Sequence, residues 1–167
     1  MSAPPASPPA PANAPAVVAR PLVFHPRAAQ VELADRLRKE VAGDVLFDAA
    51  SRGRYATDAS IYQVDPVGVL VPRSVDDVRA ALSICRELGV PVLPRGAGSS
   101  QCGQPVGAAL VIDDSKYLDA VLAFDADART VSVEPGRGLD ARNAWLKPQG
   151  LWFPVDVSTS AQATLGG

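Results

Sequence analysis

The sequence has few of the residues that build disulfide scaffolds or metal sites. Its 167 residues include two cysteines, Cys85 and Cys102, and a single histidine, His25. That inventory is too small for a disulfide framework, for a structural zinc site or for the cysteine ligands of a four-iron cluster. We therefore expect packing of side chains, rather than crosslinks or metal, to hold the fold together.

Concentrated charge and long apolar runs are also missing. The net charge is −2 and 20% of the residues are charged, whereas nucleic-acid binding needs a concentrated basic surface. No apolar run approaches the roughly 20 residues of a membrane span. The first basic residue, Arg20, comes too late for the basic start of a secretory signal. The sequence predicts a cytoplasmic protein without a nucleic-acid partner or a transmembrane segment.

Composition divides the chain into three parts. Residues 1–19 consist mostly of proline and alanine and cannot bury a core, so we predict a disordered tail. Residues 20–62 are predicted to form an N-terminal helical arm. Residues 63–167 carry alternating helix and strand patterns and are predicted to form the main domain.

Apolar periodicity and the residues that start and stop helices predict a mixed fold built around a sheet. The helix that begins at Ser74 and stops at Gly89 is expected to bury Val75, Val78, Leu82 and Cys85. With its flanking strands it makes a βαβ unit over 67–93. We predict an α+β fold with the following elements: helix 29–41, strand 67–71, helix 74–89, strands 90–93, 108–113, 121–124 and 130–133 (the last two as a hairpin), helix 139–149 closed by Gly150 or ended earlier by Pro148, and strand-like 151–153.

A glycine-rich loop at 94–104 is the most informative stretch of the chain. Glycines and serines crowd backbone N–H groups and hydroxyls around an anion, which suits a phosphate or pyrophosphate. The loop lacks the lysine of a P-loop, since Gln104 and Pro105 follow Gly103. It also lacks the third glycine and the immediate helix of a Rossmann fingerprint. A second loop, 154–167, is rich in hydroxyls and stops at paired glycines, so we expect the chain to be a fragment.

Four blocks in order, 69–78, 91–100, 111–116 and 133–136, resemble the FAD-binding domain of the vanillyl-alcohol oxidase / p-cresol methylhydroxylase (PCMH-type) superfamily. The resemblance covers roughly 55–167. Segments 54–60 and 154–160 are most similar to FAD-linked D-2-hydroxyacid dehydrogenases of the glycolate oxidase / D-lactate dehydrogenase type. The resemblance implies the first α/β subdomain of a PCMH-type domain, with the chain ending before the second.

In such domains the two loops hold FAD, the first around the pyrophosphate and the second along the flavin. The resemblance therefore implies FAD contacts from Val71, Pro72, Arg95, Gly96, Ala97, Gly98, Ser99, Ser100, Gln104, Pro154, Asp156, Ser158, Ser160, Thr164, Gly166 and Gly167. Covalent members often carry a histidine directly after the glycines of the first loop. Here Ser99 stands in that place, so FAD is expected to be bound non-covalently.

The implied reaction is oxidation of a 2-hydroxy acid, of the D-lactate, glycolate or D-2-hydroxyglutarate type, to the 2-oxo acid. In the resembling family the catalytic base and any metal ligands come from a cap domain after the FAD domain, so no catalytic residue or metal ligand is assigned. An iron–sulfur cluster is possible only in sequence beyond this chain. The electron acceptor is unknown, and this chain alone is expected to be inactive and to retain FAD weakly. The alternatives are an alcohol or sugar oxidase or a reductase of the same superfamily, or a non-catalytic half-domain that needs a partner.

Overall fold

The computed structural model describes residues 28–166, so the predicted tail over 1–19 and Gly167 lie outside the described residues. The helices and strands in chain order are α1 (Ala28–Glu40), β1 (Asp44–Leu46), α2 (Ala49–Tyr55), β2 (Gly68–Val71), α3 (Val75–Leu88), β3 (Val92–Arg95), β4 (Leu110–Asp113), β5 (Val121–Asp125), β6 (Thr130–Val133), α4 (Leu139–Leu146) and one 3-10 turn, Lys147–Gln149.

Four strands form the main sheet in the order β1-β2-β4-β3. Strand β4 is parallel to both of its neighbours, with Leu70 opposite Ile112 and Leu93 opposite Val111. The predicted connection from strand to helix to strand over 67–93 is present, but its two strands are not adjacent. Strand β4 lies between them because its side chains are buried along its whole length, as the centre of a parallel sheet requires.

Each face of this sheet is covered by side chains from the helices and their flanking loops. Leu70 and Ile112 pack on one face with Leu33 and Leu37 of α1 and Ile84 of α3. Val69, Val71 and Val111 pack on the other face, next to the half-buried Tyr55 and Tyr117. The alternation of Val69, Leu70 and Val71 between the two groups follows from the two-residue period of a strand.

Helix α3 confirms both predicted ends and corrects the predicted buried face. The Ser74 hydroxyl accepts a hydrogen bond from the Asp77 amide at 3.2 Å, and Gly89 closes the helix with φ of 66°. The buried side includes Ala81, Ile84 and Cys85, whereas Val75 and Leu82 are about half exposed. The face is rotated because Asp77 itself is buried, accepting backbone N–H bonds from Ala42 and Arg73.

Strands β5 and β6 form the predicted hairpin as a separate two-stranded sheet. Helix α4 ends three residues earlier than its predicted limit, and Pro148 sits in the 3-10 turn that follows before Gly150 closes it. The expected strand over 151–153 is wrong, because this segment has no regular secondary structure. The Phe153 amide bonds to the side chain of Asn143 instead of to a neighbouring strand. Within residues 28–166, no helix combines the length and the apolar content needed to cross a bilayer.

Candidate functional site

The three parallel strands end at the same edge of the main sheet, and the glycine-rich loop leaves from that edge. Strand β2 ends at Val71, β4 at Asp113 and β3 at Arg95. We name residues 96–107, which follow β3, the first loop. In open α/β sheets, ligands bind at the carboxyl ends of the parallel strands, so this edge is where a site is expected.

Arg95 anchors the first loop from below. Its side chain is buried, and its guanidinium donates to the carbonyl oxygens of Tyr55 at 3.2 Å, Thr57 at 2.8 Å and Pro105 at 3.0 Å. These bonds fix the far end of the first loop to the segment after α2. The Arg95 guanidinium is therefore engaged within the protein.

Asp58 ties the middle of the first loop to the same segment. Its carboxylate accepts hydrogen bonds from the amides of Ser60 at 2.8 Å and Gly103 at 3.1 Å. The pKa of this carboxyl lies below its usual value. Hydrogen bonding with Ser60 is the largest cause, and the bond from the Gly103 amide adds to it. The Ala59 amide also donates to the Ser100 carbonyl at 3.0 Å. The first loop is thus held in place although it contains no helix or strand.

Within the described part of the chain, residues 96–101 of the first loop leave their backbone N–H groups without a hydrogen-bond partner. Among residues 28–166, no acceptor pairs with the amide N–H groups of residues 96–101. Gly96 is buried despite this, and buried amides without a partner are rare in folded proteins. A run of free amides on a loop with a positive-φ glycine, here Gly98 at 67°, is the usual form of an anion-binding backbone concavity.

A second loop, residues 154–166, docks on the start of α4. The amides of Leu139 and Asp140, at the first turn of that helix, donate to the carbonyls of Ala163 at 2.9 Å and Ser160 at 3.2 Å. The Gly166 amide donates to the Pro135 carbonyl at 2.8 Å. The second loop therefore supplies the acceptors that the free first-turn N–H groups of a helix need.

The two loops meet at a partly open cleft of about 330 Å³. The Thr159 hydroxyl lies 3.3 Å from the Ser99 hydroxyl and joins the loops at this place. The cleft is lined by Pro94, Ala97, Ser99, Ser100, Gln104, Pro105, Ala163 and Thr164. The Thr164 hydroxyl oxygen is buried and has no hydrogen-bond partner in the part of the chain that the structure describes, so its hydrogen-bonding capacity is unused in this structure.

Comparison with known proteins identifies the domain. Residues 66–167 match the family described as FAD binding domain. The chain belongs to this family. It is 39% identical over 128 residues to a D-2-hydroxyglutarate dehydrogenase from Pantoea ananatis, a match that covers 75% of this chain and 12% of that protein. It is 37% identical over 134 residues to a glycolate oxidase subunit from Bacillus subtilis, covering 77% of this chain and 28% of that protein.

The fold agrees with this assignment. A crystal structure of p-cresol methylhydroxylase with substrate bound matches with a TM-score of 0.66 at 19% identity, over 81% of this chain and 27% of that one. The predicted α+β fold of PCMH type is therefore confirmed, and the described residues form the first part of such a domain. The chain spans only about an eighth of the length of the first relative named above.

The structure gathers some of the predicted FAD-binding residues at the cleft and places others away from it. Five of the sixteen line the cleft: Ala97, Ser99, Ser100, Gln104 and Thr164. Val71 and Pro72 are buried at the end of β2. The other residues that do not line the cleft are Arg95, Gly96 and Gly98 at the first loop and Pro154, Asp156, Ser158, Ser160 and Gly166 in the second loop. Gly167 lies outside the described residues.

A polar group beneath the first loop was not found by reading the sequence. The Tyr55 hydroxyl donates to Asp113 at 2.7 Å, and the same carboxylate accepts from the Ser115 amide at 2.9 Å and its hydroxyl at 2.6 Å. Burial and this carboxylate raise the pKa of Tyr55 well above its usual value. Burial and the neighbouring Asp113 raise the pKa of Asp114 from 3.8 to about 6. In the sequence, the adjacent acids Asp113 and Asp114 at the end of a predicted strand were the only indication of this group.

Proposed function

We propose that this chain is the FAD-binding part of a flavin-dependent oxidoreductase that oxidises a 2-hydroxy acid to the 2-oxo acid. The observation that carries the proposal is the cleft between the two loops, where free amides and an unpartnered buried hydroxyl come together at the carboxyl ends of parallel strands. Membership of the FAD-binding family and the similarity to two hydroxy-acid enzymes supply the choice of reaction.

The residues of the cleft fit a pyrophosphate. Of the residues with free amides, Ala97, Ser99 and Ser100 line the cleft, and their N–H groups would donate to its oxygens, as backbone concavities do for phosphates. The hydroxyl of Ser99, which lines the cleft, would add a further donor without introducing charge. Proline and alanine complete the walls, and such small rigid side chains let a bulky ligand approach the backbone closely.

FAD, when bound, supplies a two-electron acceptor for the hydride lost from the carbon that carries the hydroxyl. The hydroxyl proton needs a base placed within hydrogen-bond reach. We assign no residue of this chain to that role. The residues described here bind and orient FAD, and the Asp113 carboxylate is engaged by Tyr55 and Ser115.

Introducing a negative charge into the cleft tests the assignment. The side chain of Ala97 lines the cleft, so Ala97→Asp places a carboxylate where the pyrophosphate would lie. We expect FAD affinity, measured by quenching of flavin fluorescence, to fall by about tenfold or more, since like charges in one site cost several kcal/mol. Ala126→Asp, in the exposed turn of the hairpin, makes the same charge change far from the loops and should leave the affinity unchanged.

If the two variants bind FAD with equal affinity, FAD does not bind in this cleft. A loss of affinity in Ala97→Asp alone, combined with failure of the FAD-loaded full-length natural protein to oxidise any 2-hydroxy acid, would keep the site and overturn the reaction. The cytoplasmic location expected from the sequence stays a prediction.

A further inference from the structure

Arg142 is a buried cation without a counter-ion. It lies in the middle of α4 and is 4% exposed, and its guanidinium carbon lies 4.0 Å from the centre of the Phe153 ring. Its Nε is buried with no hydrogen-bond partner, and among residues 28–166 no carboxylate forms an ion pair with it. Burial lowers the pKa of this guanidinium. A buried charge in this state is costly unless an anion joins it.

The remainder of the chain has no acidic side chain to offer. Residues 1–27 contain neither aspartate nor glutamate, and residue 167 is glycine. The aspartates nearest in sequence are Asp140, which accepts from the Ser160 hydroxyl at 3.2 Å, and Asp156 in the second loop. No acidic side chain of residues 1–167 therefore neutralises Arg142, and the anion has to come from outside these residues.

Arg142 lines a recess of about 200 Å³ that is otherwise almost entirely apolar. We call it the Arg142 recess. Its other walls are Leu139, Phe153, Val155, Val157, Ala163, Thr164 and Leu165. Ala163 and Thr164 also line the cleft between the two loops, so the recess adjoins that cleft at the second loop.

We propose that the Arg142 recess binds a small organic carboxylate that carries a short apolar chain. Arg142 forms the ion pair with the carboxylate, and its planar fork suits both carboxylate oxygens at once. The apolar chain of the ligand packs against Phe153 and the valines of the second loop. A compact inorganic anion fits less well, because it would leave the apolar walls without contact. The site does not depend on FAD, and it is tested without FAD.

The test is a titration of the protein with acetate, butyrate and hexanoate, followed by tryptophan fluorescence and by the thermal unfolding midpoint. Trp145 lies on α4 three residues after Arg142, and Trp152 directly precedes Phe153, so the fluorescence of both tryptophans reports on this region. We expect affinity to rise about fourfold for each methylene that the recess can bury. Butan-1-ol is the control for the apolar chain without a carboxylate. Sodium chloride at the ionic strength of the carboxylate solutions is the control for salt.

Arg142→Met keeps an unbranched side chain that reaches as far as the Nε position and removes the charge. We expect this variant to lose about tenfold or more of the butyrate affinity, as expected for a charged hydrogen bond, and to unfold at a higher temperature than the native protein when no carboxylate is present. Arg142→Lys should retain part of the binding. Lys147→Met, which removes an exposed charge just after the same helix, should bind butyrate like the native protein.

Three results would overturn the proposal. They are the absence of binding by any of the three carboxylates, an equal response to butyrate and butan-1-ol, and an unchanged butyrate affinity in Arg142→Met. The first result would be expected if an acidic side chain outside residues 1–167, rather than a small molecule, neutralises Arg142.

Discussion

The guanidinium of Arg95 lies directly against the backbone of Gly98. A Cβ placed on Gly98 would collide with one terminal nitrogen of this guanidinium and lie 2.8 Å from its Cζ. The same glycine has φ of 67°, a conformation that other residues adopt at a cost. The buried arginine therefore sets the shape of the first loop through contact as well as through its hydrogen bonds.

Gly98→Ala should destabilise the protein through the collision with Arg95 and through backbone strain. Gly150→Ala is a control that introduces backbone strain alone. Gly150 has φ of 70° and nothing within 4 Å of an added Cβ, so its replacement carries backbone strain alone, about 1 kcal/mol. Gly98→Ala should lower the free energy of unfolding by about 1–3 kcal/mol more, as overpacking does. Denaturant unfolding of the two variants gives the difference, and equal losses would show that Arg95 moves aside without cost.

The Tyr55 hydroxyl bond to Asp113 should contribute measurably to stability. Tyr55→Phe removes a donor at 2.7 Å from a carboxylate that is 8% exposed. We expect a loss of about 1.5–3 kcal/mol in the free energy of unfolding, the range for hydrogen bonds to charged groups. Tyr62→Phe is the matched control, since Tyr62 is 55% exposed. Stability equal to that of the control would mean that water replaces the bond.

Asp114 should make the stability depend on pH. Its pKa is raised from 3.8 to about 6 in the folded protein, so folding favours the protonated form. This contribution is complete below pH 3.8 and is lost as the pH rises through about 6. Asp114→Asn stays uncharged, so its stability relative to the native protein should improve between pH 4 and pH 7 in urea unfolding. Asp119→Asn, at an exposed position, controls for loss of one negative charge, and parallel pH profiles for all three proteins would contradict the assignment.

FAD should be released intact when the protein is denatured. The chain contains one histidine, His25, and Ser99 follows the glycine of the first loop, so this loop offers no imidazole for a covalent bond. Precipitation of FAD-loaded protein with acid should leave all flavin absorbance in the supernatant. Yellow colour that stays with the precipitated chain would identify a covalent link through another residue.

Local sequence signals predicted the elements that are governed by local physics. Ser74 and Gly89 set the ends of α3 because capping depends on residues within one turn. Strand β1 and helix α2 were missed, since both are short and β1 exists through its pairing with β2. The rotated face of α3 was missed because Asp77 is buried for hydrogen bonds to another part of the chain.

The candidate site was predicted in outline but not in detail. Glycine spacing located the first loop, and hydroxyl content located the second. The role of Arg95 as an internal anchor could not be read from the sequence, because its three carbonyl partners lie 10 to 40 residues away. The lack of an ion-pair partner for Arg142 could not be predicted from the sequence either, because it depends on which side chains surround Arg142 in the fold.

Reduction of the flavin by substrate tests the central claim most directly. FAD-loaded full-length natural protein is mixed without oxygen with D-2-hydroxyglutarate, glycolate, D-lactate or a primary alcohol, and the visible flavin absorbance is followed. We predict that a 2-hydroxy acid bleaches the flavin and yields an equimolar amount of the 2-oxo acid, while the alcohol does not. Bleaching by the alcohol alone, or by none of these compounds, would contradict the proposed function.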